Sequence, residues 1–110
     1  MIEIADLIAA EIEQMKQDGT VNQPHEFGQF VQAAKCYLDH YKIAIRRDGG
    51  QPKGWLHPNW PRTWDRAYWQ PDNNDAQRNV VVAMALLQLE YDRLQELRRS
   101  VLPHNQPVSS

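Results

Sequence analysis

With 110 residues, 42% of them hydrophobic and 24% charged, the chain has material for one modest core and one domain. A net charge of −2 supplies no field for nucleic acid or an anionic membrane, so neither direct DNA binding nor a membrane partner is expected. The single cysteine excludes an internal disulfide and a cysteine-based zinc cluster, and Cys36 reads as a small core residue.

The first element is an amphipathic helix over about 3–17. Ile4, Ile8, Ile12 and Met15 fall at helical spacing, and Glu3, Asp6 and Glu11 take other positions. Gly19 is placed to end it, because glycine tolerates the left-handed cap conformation. A second helix is expected over about 24–46, with Pro24 in its first turn and Asn22 or Gln23 as its cap. Phe27, Phe30, Val31, Ala34, Leu38, Tyr41 and Ile45 would form its buried stripe. Gly28 then lies inside the first turns, at a cost near 1 kcal/mol relative to alanine.

Two glycines and a proline break the helix after Asp48, and no long periodicity returns before Pro71. This aromatic loop, 47–72, holds all four tryptophans. Rings of that size left in water are a liability, so the loop should fold back over the helices. Within it, 63–69 reads as a short helical turn capped by Thr63.

Asp72 is expected to cap a third helix over about 73–100, with Asp75 three residues later at its negative end. Val80, Ala83, Met84, Leu87, Tyr91 and Leu94 share one face of its wheel, and Val81, Ala85 and Leu89 make a second patch. Two apolar faces suggest a dimer through helix three. Residues 103–110 read as a polar, disordered tail. The expected fold is thus all-α, a three-helix bundle within residues 1–102 under a packed Trp/Pro-rich loop.

Chemistry is sparse. Nucleophile elbow, phosphate-cradling glycine loop, dinucleotide fingerprint and Cys-x-x-Cys are all missing. No catalytic residue, metal ligand or cofactor is therefore assigned. The strongest candidate ligand- or partner-binding group is aromatic and basic: Trp55, Trp60, Arg62, Trp64, Arg66 and Trp69. Such rings stack bases or anchor a protein partner, and they also complete a core. A weaker polar set is His25, Glu26, Asp39 and Glu90. All-α nucleotide pyrophosphohydrolases hold magnesium with carboxylates one turn apart on neighbouring helices. Glu26, Asp39 and Glu90 are the nearest equivalents, but the chain has no Glu-x-x-Glu pair. Glu90 borders an apolar face and should pair with an arginine from the loop or helix two.

Trp60-Pro61, Tyr68-Trp69-Gln70-Pro71, Arg78-Asn79-Val80-Val81, Ala83-Met84-Ala85-Leu86 and Glu90-Tyr91-Asp92-Arg93-Leu94 carry a resemblance. They are similar to a phage and prophage family with a Trp-Pro-Trp…Trp-Trp-Lys-Pro segment and a following Arg-x-x-Leu-Val-x-Ala-x-Ala-Leu…Ala-Glu-x-x-Arg-Leu helix. His25, Gly28, Ala33-Ala34 and Tyr37 match its upstream run, so the likeness covers roughly two-thirds of the chain. Gln70 stands where lysine is common, and an acidic pair after the histidine is reduced to Glu26. The resemblance implies a phage protein in the cytoplasm of an infected or lysogenic bacterium. The expected function is non-enzymatic counter-defence, by binding a host protein complex or sequestering a nucleotide signal. The alternatives are a diverged magnesium-dependent pyrophosphohydrolase and a dimerising helper in a phage assembly. The cytoplasm also suits the lack of an apolar run near the ~18 residues of a membrane span and of a basic-then-apolar leader.

Overall fold

A computed structural model describes residues 3–46, 56–72 and 75–101, with the side chains of 40–46 excepted. It is all-α. Helix α1 spans Ile4–Asp18, α2 spans Gln29–Arg46 and α3 spans Ala76–Val101, and no strand occurs among the described residues. Helix α3 is central, since α2 packs along it and α1 packs on it as well. The expected tail and residues 47–55, including Trp55, lie outside the described residues.

Helix α1 ends as its sequence predicts, at Gly19 with φ +92°. Asp18 then accepts bonds from both the amide and the hydroxyl of Thr20, which starts a short 3-10 turn, Thr20–Asn22. Met15 is the buried residue of α1, while Ile8 and Ile12 pack partly against the core.

Helix α2 starts at Gln29, later than the expected Pro24. The physical reason is tertiary. The Pro24 carbonyl accepts the Trp64 indole N–H, and the Gln23 side chain accepts the Asp65 amide. Both residues anchor the loop instead of opening a helix. Gly28 is not inside the helix but just before it, with φ +84°, and its carbonyl accepts the Gln32 amide. Phe27, expected in the buried stripe, is consequently 89% exposed, and Leu38 is exposed too. The buried face of α2 is Phe30, Ala33, Ala34, Cys36 and Tyr37.

Asp75, not the expected Asp72, caps α3, which starts at Ala76: the Asp75 carboxylate accepts the Arg78 amide, and Asp72 accepts the Asp75 amide one step earlier. The buried side of α3 matches the expected faces only in part: Ala83 of the first and Val81 and Ala85 of the second patch are buried. Asn79, Val82, Ala83, Leu86 and Glu90 face inward, whereas Leu87, Tyr91 and Leu94 are exposed. The run from Val80 to Leu87 is apolar on every side, so spacing alone could not choose the face. Two polar residues settle it because each is satisfied inside. The Asn79 amide pairs with both backbone groups of Asp72, donating to its carbonyl at 2.7 Å and accepting its N–H at 2.8 Å.

Candidate functional site

From residue 56 onward the aromatic loop folds over the bundle and becomes core. Trp60, Trp64 and Trp69 are 4%, 5% and 8% exposed. Trp60 is the hub, with its ring centre 5.5 Å from Trp64 and 5.2 Å from Trp69. Tyr37 of α2 packs against Trp69 and Trp60, and Phe30 meets the edge of Trp64. Burial removes these three tryptophans from the surface proposed for stacking bases or anchoring a partner. Arg62 and Arg66 are exposed beside them.

Polar ties hold the cover in register. The Tyr37 hydroxyl donates to the Tyr68 carbonyl and accepts the Gln70 amide, at 3.1 and 3.0 Å. The Tyr68 hydroxyl donates to the Asp18 carbonyl, and Gln32 donates to the Asn59 carbonyl. The loop's own turn is a 3-10 element, Arg66–Tyr68, capped by Asp65 rather than by Thr63. Burial pushes the Tyr37 phenol up to about 12, against the opposing pull of the Gln70 peptide and Arg78. The Trp60 indole N–H is buried without a protein acceptor, and Trp60 lines a cavity of about 40 Å³.

Three of the four polar candidates line two open grooves, and Glu90 lines neither. Asp39 lies with His57 in a groove of about 470 Å³. The His57 Nδ1 accepts the Asn59 amide at 3.0 Å, which places the proton on Nε2, and Nε2 donates to Asp39 at 3.0 Å. Cys36 lines the same groove, but burial and then Asp39 push its thiol up to about 12, and both ring nitrogens of His57 are engaged. The group is therefore unsuited to thiolate chemistry. No local pattern announces the Asp39–His57 pair, which joins residues 18 apart across the loop.

His25 and Glu26 line the other groove, of about 520 Å³, beside Arg93. The His25 ring stacks on Phe30, and its Nδ1 donates to the Gln23 carbonyl. Glu90 does pair with an arginine, but the arginine is Arg93 on its own helix, not one from the loop or α2. Two bonds of 2.9 Å join the pair, and they raise the Arg93 guanidinium further above its ordinary value. The Glu-x-x-Arg spacing was visible in the sequence, and i,i+3 neighbours share a helix face. Among the described residues, no group of three His, Cys, Asp or Glu side chains converges as metal ligands would.

The fold and site therefore define a small all-α domain with an aromatic inner cover and outer grooves that mix apolar and charged side chains. No protein-family model, no curated protein and no solved structure matches the chain. No helix among the described residues is long and apolar enough to cross a membrane.

Proposed function

We propose a non-enzymatic binding protein, of the counter-defence kind expected of a small phage protein without catalytic motifs, which acts by occupying a host protein complex. The supporting observation is on α3. Leu87, Tyr91 and Leu94 are 42%, 61% and 45% exposed, and they lie along one side of a 26-residue helix. An apolar strip of this kind marks an interaction surface. The binding surface is thus α3 rather than the aromatic loop. Tagged protein should retain a specific partner from bacterial lysate, and Leu87→Asp with Tyr91→Asp should release it while helical content and Tm stay unchanged. Retention by the double variant would overturn the reading.

A second reading is favoured by the same strip. Between Gln77 and Gln95 this side of the helix carries Val80, Met84, Leu87, Gln88, Tyr91 and Leu94, none of them charged. A second copy could meet it without like-charge repulsion, giving a two-fold homodimer. Light scattering on the wild type and the Leu87→Asp, Tyr91→Asp variant tests this directly.

A further inference from the structure

We propose that the groove between the C-terminal half of α3 and the segment leading into α2 docks a basic amphipathic helix of a partner protein. The inference rests on reading the protein as a binder, and it names the partner's chemistry.

The groove has an apolar floor and an acidic rim. Val21, Phe30, Leu89 and Leu97 form the floor, and Leu97 is exposed. Glu26 stands on one wall, with Asp92 and Glu96 on the other. Arg93 lies between them and feels the Glu26 charge, but Glu90 holds its guanidinium at Nε and Nη2. Arg99 reaches Glu96 at 3.7 Å, with both side chains well exposed, where water screens the contact. Asp92 accepts the neutral amide of Gln88. Three carboxylates thus line the groove against the single guanidinium of Arg93, which leaves the rim negative.

An apolar floor under a rim of net negative charge is the pattern that receives an amphipathic helix. The rim charge selects lysine and arginine flanking the apolar anchors. It also disfavours nucleic acid and anionic lipid as occupants. The chain's own residues 102–110 contain no lysine or arginine, so they lack the complementary charge. From Asp92 to Ser100 the α3 wall is about 12 Å long, or roughly two helical turns. The occupant accordingly presents one set of apolar anchors at i, i+3 and i+4.

The test uses the full chain and two labelled helical peptides of identical apolar pattern, one flanked by lysine and one by glutamate. Fluorescence anisotropy should show the lysine peptide binding at least about tenfold more tightly, and its affinity should fall as salt rises. The triple variant Glu26→Gln, Asp92→Asn, Glu96→Gln should weaken it by at least about tenfold at unchanged Tm. Amide shifts should move at Leu89, Asp92 and Leu97. Equal binding of the two peptides, an indifferent triple variant, or shifts confined to Leu87, Tyr91 and Leu94 would each overturn the groove. If neither peptide binds but the lysate complex still depends on Leu87 and Tyr91, the groove falls and the binding reading stands. If there is no lysate complex either, both fall.

Discussion

Trp64 is tied to Pro24 by an indole N–H to carbonyl hydrogen bond of 2.5 Å, across 40 residues of chain. Trp60, whose ring edge meets Trp64, has no such acceptor. The two rings therefore answer differently to the same change. Trp64→Phe strands a carbonyl and should cost about 2 kcal/mol, seen as a lower urea midpoint at unchanged slope. Trp60→Phe deletes an unpaired donor and should cost about 1 kcal/mol less than that. Equal losses would mean that Trp60 also has an acceptor, and its 40 Å³ cavity has room for a bound water in that role.

Gly19 and Gly28 both adopt positive φ, +92° and +84°, but their surroundings differ. A Cβ at Gly19 would lie 2.9 Å from the Tyr68 hydroxyl, which is held by its bond to Asp18, while nothing lies within 4 Å at Gly28. Gly28→Ala should cost only the backbone term, about 1–2 kcal/mol. Gly19→Ala should cost visibly more and also disturb the Tyr68 contact, which amide shifts at Asp18 and Thr20 would report.

Glu90 and Arg93 form a charged pair with little water around it, their side chains 11% and 22% exposed. Arg93→Ala leaves the carboxylate uncompensated and should cost about 3 kcal/mol. Replacing both, as Glu90→Leu with Arg93→Met, should restore most of that loss, because neither charge then needs a partner. Denaturation of the two single variants and the double variant gives the coupling directly.

Cys36 and Tyr37 make the fold sensitive to base. Burial holds both up to about 12, against ordinary values of 9.0 and 10.0. In the window between, the unfolded chain releases protons that the folded chain keeps. Stability is therefore full below pH 9 and falls as pH rises toward 12. A Tm series across this range should decline throughout. In Cys36→Ala the decline should begin later, near the ordinary tyrosine value.

Helix number and type were legible in the sequence because long periodic segments bounded by Gly19 and the Asp72/Asp75 pair leave few alternatives. The packing of the aromatic loop was legible as a need: Trp60, Trp64 and Trp69 had to find cover. What spacing could not supply was phase and pairing. Helix α3 turns inward on Asn79 and Glu90, two polar residues whose partners must be known before they can be placed inside. Helix α2 starts late because loop residues 64 and 65 claim Pro24 and Gln23, a bond between distant segments that no local preference encodes. His25 and Glu26 were singled out without their apolar neighbours Leu89 and Leu97, which only the meeting of α3 with the segment before α2 brings beside them.

The ties between cover and bundle run largely to main-chain oxygens: Pro24 for Trp64, Asp18 for Tyr68, Asn59 for Gln32 and Tyr68 for Tyr37. A carbonyl is present whatever side chain stands at the position. Lineages of this protein can therefore drift at the accepting residues and keep the bonds, provided the donors Trp64, Tyr68, Gln32 and Tyr37 persist. Mutational tolerance should concentrate on the outer faces and at these acceptor positions, while the donors stay fixed.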